Sequence, residues 1–217
     1  MINLLKTSWF EIIKKTILII LLIILVLYIG LVIYRIPAAF ERYDTKKTVD
    51  DIHNQKLKLE DVMRKELPPE PDEKLNNSTL NGIDTNNNGI RDDVEIAIFK
   101  LYPDSARIRS GALQYAKAMQ MHFRKDIVNS KTFVAVLQEK SRGYLCLGSE
   151  PNLRNIKDEK IFKKLSDEID IRLEKIYDLV FNIDIRKNKE EENYEKYMTS
   201  MGIEPGQYCD IDINLLN

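Results

Sequence analysis

Thr16 to Tyr34 reads TILIILLIILVLYIGLVIY, a run of 19 residues without a charge between Lys15 and Arg35. As a helix rising ~1.5 Å per residue it covers roughly 28 Å, close to the ~30 Å hydrocarbon thickness of a bilayer. Leu and Ile dominate, and Tyr28 and Tyr34 stand toward the far end, where amphipathic rings suit the lipid–water interface. A helix apolar on every side has no solvent-facing stripe, unlike the surface helix of a small soluble domain. The run exceeds the roughly 7–15-residue apolar core of a cleaved secretory signal. Its only small-residue pair, Ala38-Ala39, follows Pro37, a poor cleavage context. Residues 16–36 are therefore expected to form an uncleaved transmembrane signal anchor behind a short cytoplasmic tail, residues 1–15.

Charge does not orient this anchor. Lys6, Lys14 and Lys15 precede it, and Arg35, Arg42, Lys46 and Lys47 follow it. A short leading tail and a long trailing domain fit export of the C-terminal part. The expectation is a single-pass inner-membrane protein with its C-terminal domain in the periplasm. The chain of 217 residues carries 33 Lys+Arg against 34 Asp+Glu, a formal net charge of −1. That balance argues against a dedicated nucleic-acid binder, which would carry a basic excess. Eight Gly and seven Pro are too few for a linker-dominated chain.

Beyond the anchor, residues 37–67 contain a stretch from Phe40 with neither Gly nor Pro, and Ile52, Leu59, Val62 and Met63 recur at helical spacing. This predicts an amphipathic stalk helix. Residues 68–83 open with Pro68-Pro69-Glu70-Pro71 and continue Asn-rich, which predicts an extended spacer and loop. From residue 84 onward the chain reads as an all-α domain. Helices are expected over about 92–101, from Asp104 or Ser105 past Phe123, over 131–142 ending near Gly143, over 157–182, and over 187–201 ending at Gly202. The architecture expected is thus all-α: a transmembrane helix, a stalk, and a small helical bundle.

One stretch carries chemistry: Asp84-Thr-Asn86-Asn-Asn88-Gly89-Ile90-Arg-Asp92-Asp-Val-Glu95. Oxygen-bearing side chains at every second position of a tight loop converge on one point. A glycine permits the reversal, and a carboxylate in the following helix closes the shell that a hard Ca²⁺ ion requires. A plainer pattern overlaps it. Asp92 and Glu95 have capping-box spacing and Asn88-Gly89 is an ordinary turn dipeptide, but neither explains Asp84 and Asn86 in register.

The stretch resembles the twelve-residue calcium loop of EF-hand proteins. Asp84, Asn86 and Asn88 fall at the first, third and fifth positions, and Gly89 at the glycine. The resemblance implies that these side chains, the backbone carbonyl of Ile90, Asp92 (often through water) and Glu95 hold Ca²⁺. The segment LNNSTLNGI before Asp84 is poor helix sequence and no second loop is present, so the loop looks more like the dockerin-type loops of exported bacterial modules. Residues 67–120 are also similar to a recurrent type of bacterial envelope protein carrying such a loop, a likeness that implies no activity. With only Asp84, Asp92 and Glu95 charged, binding on the order of 10⁻⁵ to 10⁻³ M is expected, useful where calcium is millimolar.

Cys146 and Cys209 are the only cysteines, and in an oxidising compartment an even pair predicts a disulfide. Closing a loop of about 64 residues would contribute roughly 4 kcal/mol. His53 and His122 match no local catalytic pattern, and the sequence holds no nucleophile elbow, P-loop or HExxH. The expectation is a membrane-anchored calcium-binding interaction module with no catalytic residue assigned, its partners the membrane and another envelope protein. Two other readings fit the same features: a periplasmic inhibitor or immunity protein, and an envelope hydrolase using His122 or carboxylates beside a structural calcium.

Overall fold

A computed structural model describes residues 2–149, 156–202 and 207–216, with the side chains of residues 2–8 and 10–12 outside that description. Lys6, counted above on the leading flank, lies among those undescribed side chains. Among the described residues the chain is all-α, with no strand. It divides into two units, residues 1–46 and 47–217.

The first unit belongs to one helix, α1 (Ile2–Asn54), 53 residues long. Its apolar side chains from Ile17 to Ile33 are exposed. It is the one helix among the described residues that is long and apolar enough to cross a membrane. Pro37 sits inside α1 without ending it.

The second unit takes in the last turns of α1 and seven further helices: α2 (Leu59–Val62), α3 (Glu73–Asn76), α4 (Asp92–Leu101), α5 (Ala106–Gln120), α6 (Ser130–Leu147), α7 (Glu159–Val180) and α8 (Asp184–Tyr197). Short 3₁₀ turns lie at Met121–Phe123 and Ile213–Leu215. Local chemistry starts several of them. Ser105 accepts from Ile108 N at α5, and Asp158 accepts from Lys160 N and Ile161 N at α7. Asn129 caps Lys131 N and Thr132 N at α6, while Thr132 Oγ1 accepts from Asn129 N in return. Each such bond satisfies a backbone donor that the first turn leaves without a partner.

The 37–67 stalk helix is corrected. Helix α1 stops at Asn54, and the chain turns so that Leu57 N donates to Asp210 Oδ2 at 2.9 Å. Ile52, Leu57 and Val62 are buried, so this stretch is part of the folded unit. Burial of those side chains outweighs the propensity to continue one long helix. The 68–83 spacer is corrected in the same way. It contains α3, capped by Asp72, and the backbone of its second half is taken up by Arg186. That fully buried guanidinium donates to the carbonyls of Asn76, Thr79 and Leu80 and to the side-chain oxygens of Asn77 and Asn182.

Two helices also differ in extent. Helix α6 runs through Gly143 to Leu147. A Cβ on Gly143 would lie 2.7 Å from Tyr115 Cα, and one on Gly111 would lie 2.7 Å from Leu147 Cα. These glycines let α5 and α6 cross closely, so Gly143 is an interior packing residue and not a terminator. Helix α8 spans Asp184–Tyr197 instead of 187–201, with the buried Arg186 in its first turn, and Gly202 lies beyond it.

The main core joins α4, α5 and α7 through Val94, Ile98, Leu113, Met119, Leu173 and Ile176. A second cluster gathers Ile52, Ile127, Phe133, Val136 and Leu137. The C-terminal segment lies across α5 and α6. Cys146 and Cys209 form a disulfide with Cα atoms 4.9 Å apart. Beside it, Gln114 accepts from Asp210 N and donates to Tyr208 O.

Candidate metal centre

Residues 84–95 lead straight into α4. The loop reverses through two left-handed residues, Asn87 (φ 55°) and Gly89 (φ 85°), and a glycine relieves the strain at the second. Side-chain oxygens then take up the loop's own amides. Asp84 accepts from Asn88 N (3.2 Å) and Gly89 N (2.8 Å), Asn86 from Asn88 N (3.0 Å), and Asn88 from Ile90 N (2.7 Å). Such local bonds are the ordinary work of Asx side chains in turns.

The closing residue is Glu95. Its Oε2 accepts the amides of Asn86 (2.8 Å) and Asn88 (3.0 Å). Its side chain is fully buried, yet among the described residues Oε1 has no hydrogen-bond partner. The nearest cation is Arg64, with Nε 3.4 Å from Oε1. Burial pushes the Glu95 carboxyl above the usual carboxylate range, against the Asn86 amide, Arg64 and Asn88, which favour the ionised form. Asp84 is raised too, first by burial, with Asp92 adding repulsion and the Gly89 and Asn88 amides opposing.

Among the residues expected to gather round an ion, Asp84, Asn86, Asn88 and Glu95 are joined in one hydrogen-bonded circuit around Gly89. Asp92 is not in it. Both its oxygens face Thr85, accepting from Thr85 N at 3.1 and 3.2 Å and from Thr85 Oγ1. The side chain of Ile90 is buried in the core beneath the loop. The capping-box alternative does not form either: the helix N-cap is Arg91, and Glu95 N donates to Arg91 O. Among the described residues no group of three or more His, Cys, Asp or Glu side chains stands ready to hold a metal. The loop combines two carboxylates with two amides.

Does this donor set fit a hard dication? Every member carries oxygen, as calcium prefers. The Oδ1 of Asn86 and of Asn88 each accepts one backbone amide, and a carbonyl oxygen has a second lone pair. A fully buried carboxylate oxygen without a hydrogen bond is costly unless a cation meets it. In donor chemistry the residues present fit Ca²⁺, which Asp84, Asn86, Asn88 and Glu95 would hold. A cavity of about 240 Å³ lined by Asp84, Gly89, Gln120 and Arg124 opens the Asp84 side to solvent.

Several side chains that fix the loop carry no motif. Gln120, at the end of α5, donates to Gly89 O and accepts from Arg91 N, clamping both sides of Ile90. Arg91 is fully buried and donates to Leu179 O and Val180 O at the end of α7, while pairing with Asp93. The links to Gln120, Leu179 and Val180 span 29 to 89 residues of sequence, and no local pattern announces them.

The histidines sit elsewhere. His122 is fully buried against Phe133, Phe181 and Tyr194, with ring centroids 5.5–6.0 Å away, and among the described residues neither ring nitrogen has a hydrogen-bond partner. Burial, with Lys140 adding repulsion, lowers its pKa to about 3. Among the described residues no carboxylate hydrogen-bonds either ring nitrogen. His53 pairs with Glu139 (2.8 Å) in a network that includes Lys56, Arg142 and Asp210.

Comparison with protein-family models, with curated proteins and with solved structures finds no match to the chain.

Proposed function

We propose that this chain is a membrane-anchored calcium-binding protein of the cell envelope, its loop a single EF-hand-like site of the dockerin type. The ion acts as a structural clip in an interaction module. The observation that carries the reading is Glu95: a fully buried carboxylate held by Asn86 and Asn88, with one oxygen lacking a hydrogen bond. A bound Ca²⁺ would supply charge neutralisation at that oxygen and close the loop from Asp84 to α4. The protein's own residues then transmit the closure. Arg91 ties the loop to the end of α7, and Gln120 ties it to α5.

The helical domain is proposed to lie outside the cytoplasm, in the periplasm of a single-pass inner-membrane protein. A weak site is filled only where calcium is millimolar, and the Cys146–Cys209 bridge belongs to an oxidising compartment. The partner proposed is another envelope protein, received by a domain whose shape the ion fixes. Calcium titration of the full-length chain in detergent micelles tests the reading. Saturable one-site binding that Glu95→Gln removes supports it, and absence of binding at millimolar calcium refutes it.

A further inference from the structure

Arg64 lies two residues beyond α2 and reaches across to the loop. Two atoms are left over where it arrives. Arg64 Nε and Glu95 Oε1 are both buried without a hydrogen-bond partner among the described residues, and they face each other at 3.4 Å. The contact is an ion pair without hydrogen-bond alignment. The other end of the guanidinium has a second seat, with Nη2 donating to Asp61 Oδ1 at 3.2 Å. Asp61 is itself fixed, accepting from Lys58 N at 2.9 Å, and α2 is anchored by Arg109 Nε donating to Val62 O. The Glu95 side chain is fully buried and Arg64 about one-fifth exposed, so this charge pair is poorly screened by solvent.

Resting on the calcium reading, we propose that Arg64 is a built-in competitor for the ion: its guanidinium occupies the open oxygen of Glu95 in the metal-free protein and moves wholly onto Asp61 when calcium binds. The charges require a choice. A dication at Glu95 and a guanidinium 3.4 Å from the same oxygen repel each other strongly in a site shielded from water. Asp61 supplies a place for Arg64 to go without leaving a buried cation unpaired. Metal-free, Arg64 keeps Glu95 from being an isolated buried anion, which would otherwise strain the apo fold. Arg64 thereby lowers the affinity of the loop and couples its occupancy to the segment carrying α2. Lys117 is a second buried cation beside the loop, packed against Gly89. It is committed to Lys56 O at 3.2 Å and makes no ion pair with Glu95 among the described residues.

The test is calorimetric calcium titration of the full-length wild type, Arg64→Gln, Arg64→Met and Arg64→Lys, with melting of each in chelator. The two neutral variants are expected to bind about tenfold more tightly than wild type, with Arg64→Lys within about twofold of it. In chelator the neutral variants melt below wild type, because Glu95 has lost its cation, and saturating calcium closes that gap. Either neutral variant that folds decides the matter. Wild-type binding with unchanged or weakened affinity in the neutral variants overturns the competitor role and leaves the calcium site standing. No binding by any of the four chains overturns the calcium reading, and the competitor role with it.

Discussion

Asn86 donates its side-chain amide to Oε2 of Glu95 at 2.8 Å, joining the start of the loop to the first turn of α4 across nine residues. Asn88 makes the same bond at 3.0 Å, so a single carboxylate holds both asparagines. Replacing that carboxylate by an amide keeps its size and removes its charge. Calcium at thirtyfold over its dissociation constant contributes about 2 kcal/mol to a one-site protein. For a domain of this size that is a rise of about 4–8 °C in melting midpoint. Thermal melts in detergent with and without chelator are expected to show this rise in wild type and not in Glu95→Gln. An equal rise in both would remove Glu95 from the site.

Gly143→Ala is expected to destabilise the protein by about 1–3 kcal/mol. Alanine is the better helix former by roughly 1 kcal/mol, so helix propensity alone predicts the opposite sign. The added methyl has nowhere to go, because its carbon would meet Tyr115 Cα at 2.7 Å. Denaturant unfolding followed by circular dichroism reads the sign directly, and a stabilised variant would show that α5 and α6 are not in this close crossing.

Removing the Cys146–Cys209 bridge with paired alanines is expected to cost about 2–4 kcal/mol. The bridge holds the segment in which Asp210 accepts from Leu57 N and Arg142. Limited proteolysis of the paired variant should therefore cut first near residues 207–216, and the same cleavage pattern as wild type would contradict this account of the segment.

His122 makes the fold sensitive to acid. Its pKa is about 3 when folded, against an ordinary value near 6.5. As pH falls through 6.5 the unfolded chain takes up a proton that the folded chain refuses, so stability from this residue is lost progressively between about 6.5 and 3. Above 6.5 both states are neutral and the residue is silent. His122→Phe, which preserves the aromatic contacts with Phe133 and Phe181, should flatten the difference by up to about 3 kcal/mol at pH 4. Parallel pH profiles for the two proteins would contradict a neutral buried His122.

What was legible in the sequence was local. The apolar run 16–34, the helix start at Ser105 and the helix expected over 157–182 each follow from neighbouring residues. So does the left-handed turn at Gly89. The spacer was misread because its order comes from Arg186, whose carbonyl partners lie 106–110 residues away. The stalk was misread for the same reason, since just beyond the end of α1 the Leu57 amide is taken up by Asp210 from 153 residues downstream. In the loop, spacing placed Asp84, Asn86, Asn88 and Glu95 together. It also placed Asp92 among them, and Thr85 takes that carboxylate instead. Arg64 could not be read at all, because nothing in the residues around it marks it as a neighbour of Glu95.

Isothermal titration of the full-length chain with calcium, set against magnesium under the same ionic strength, bears most directly on the central proposal. One calcium per chain, with a dissociation constant on the order of 10⁻⁵ to 10⁻³ M and little response to magnesium, is the expected result. A flat calcium titration through 10⁻² M, on the order of ten times the weakest expected constant, would contradict it and leave Glu95 a buried carboxylate held by its asparagines and Arg64 alone.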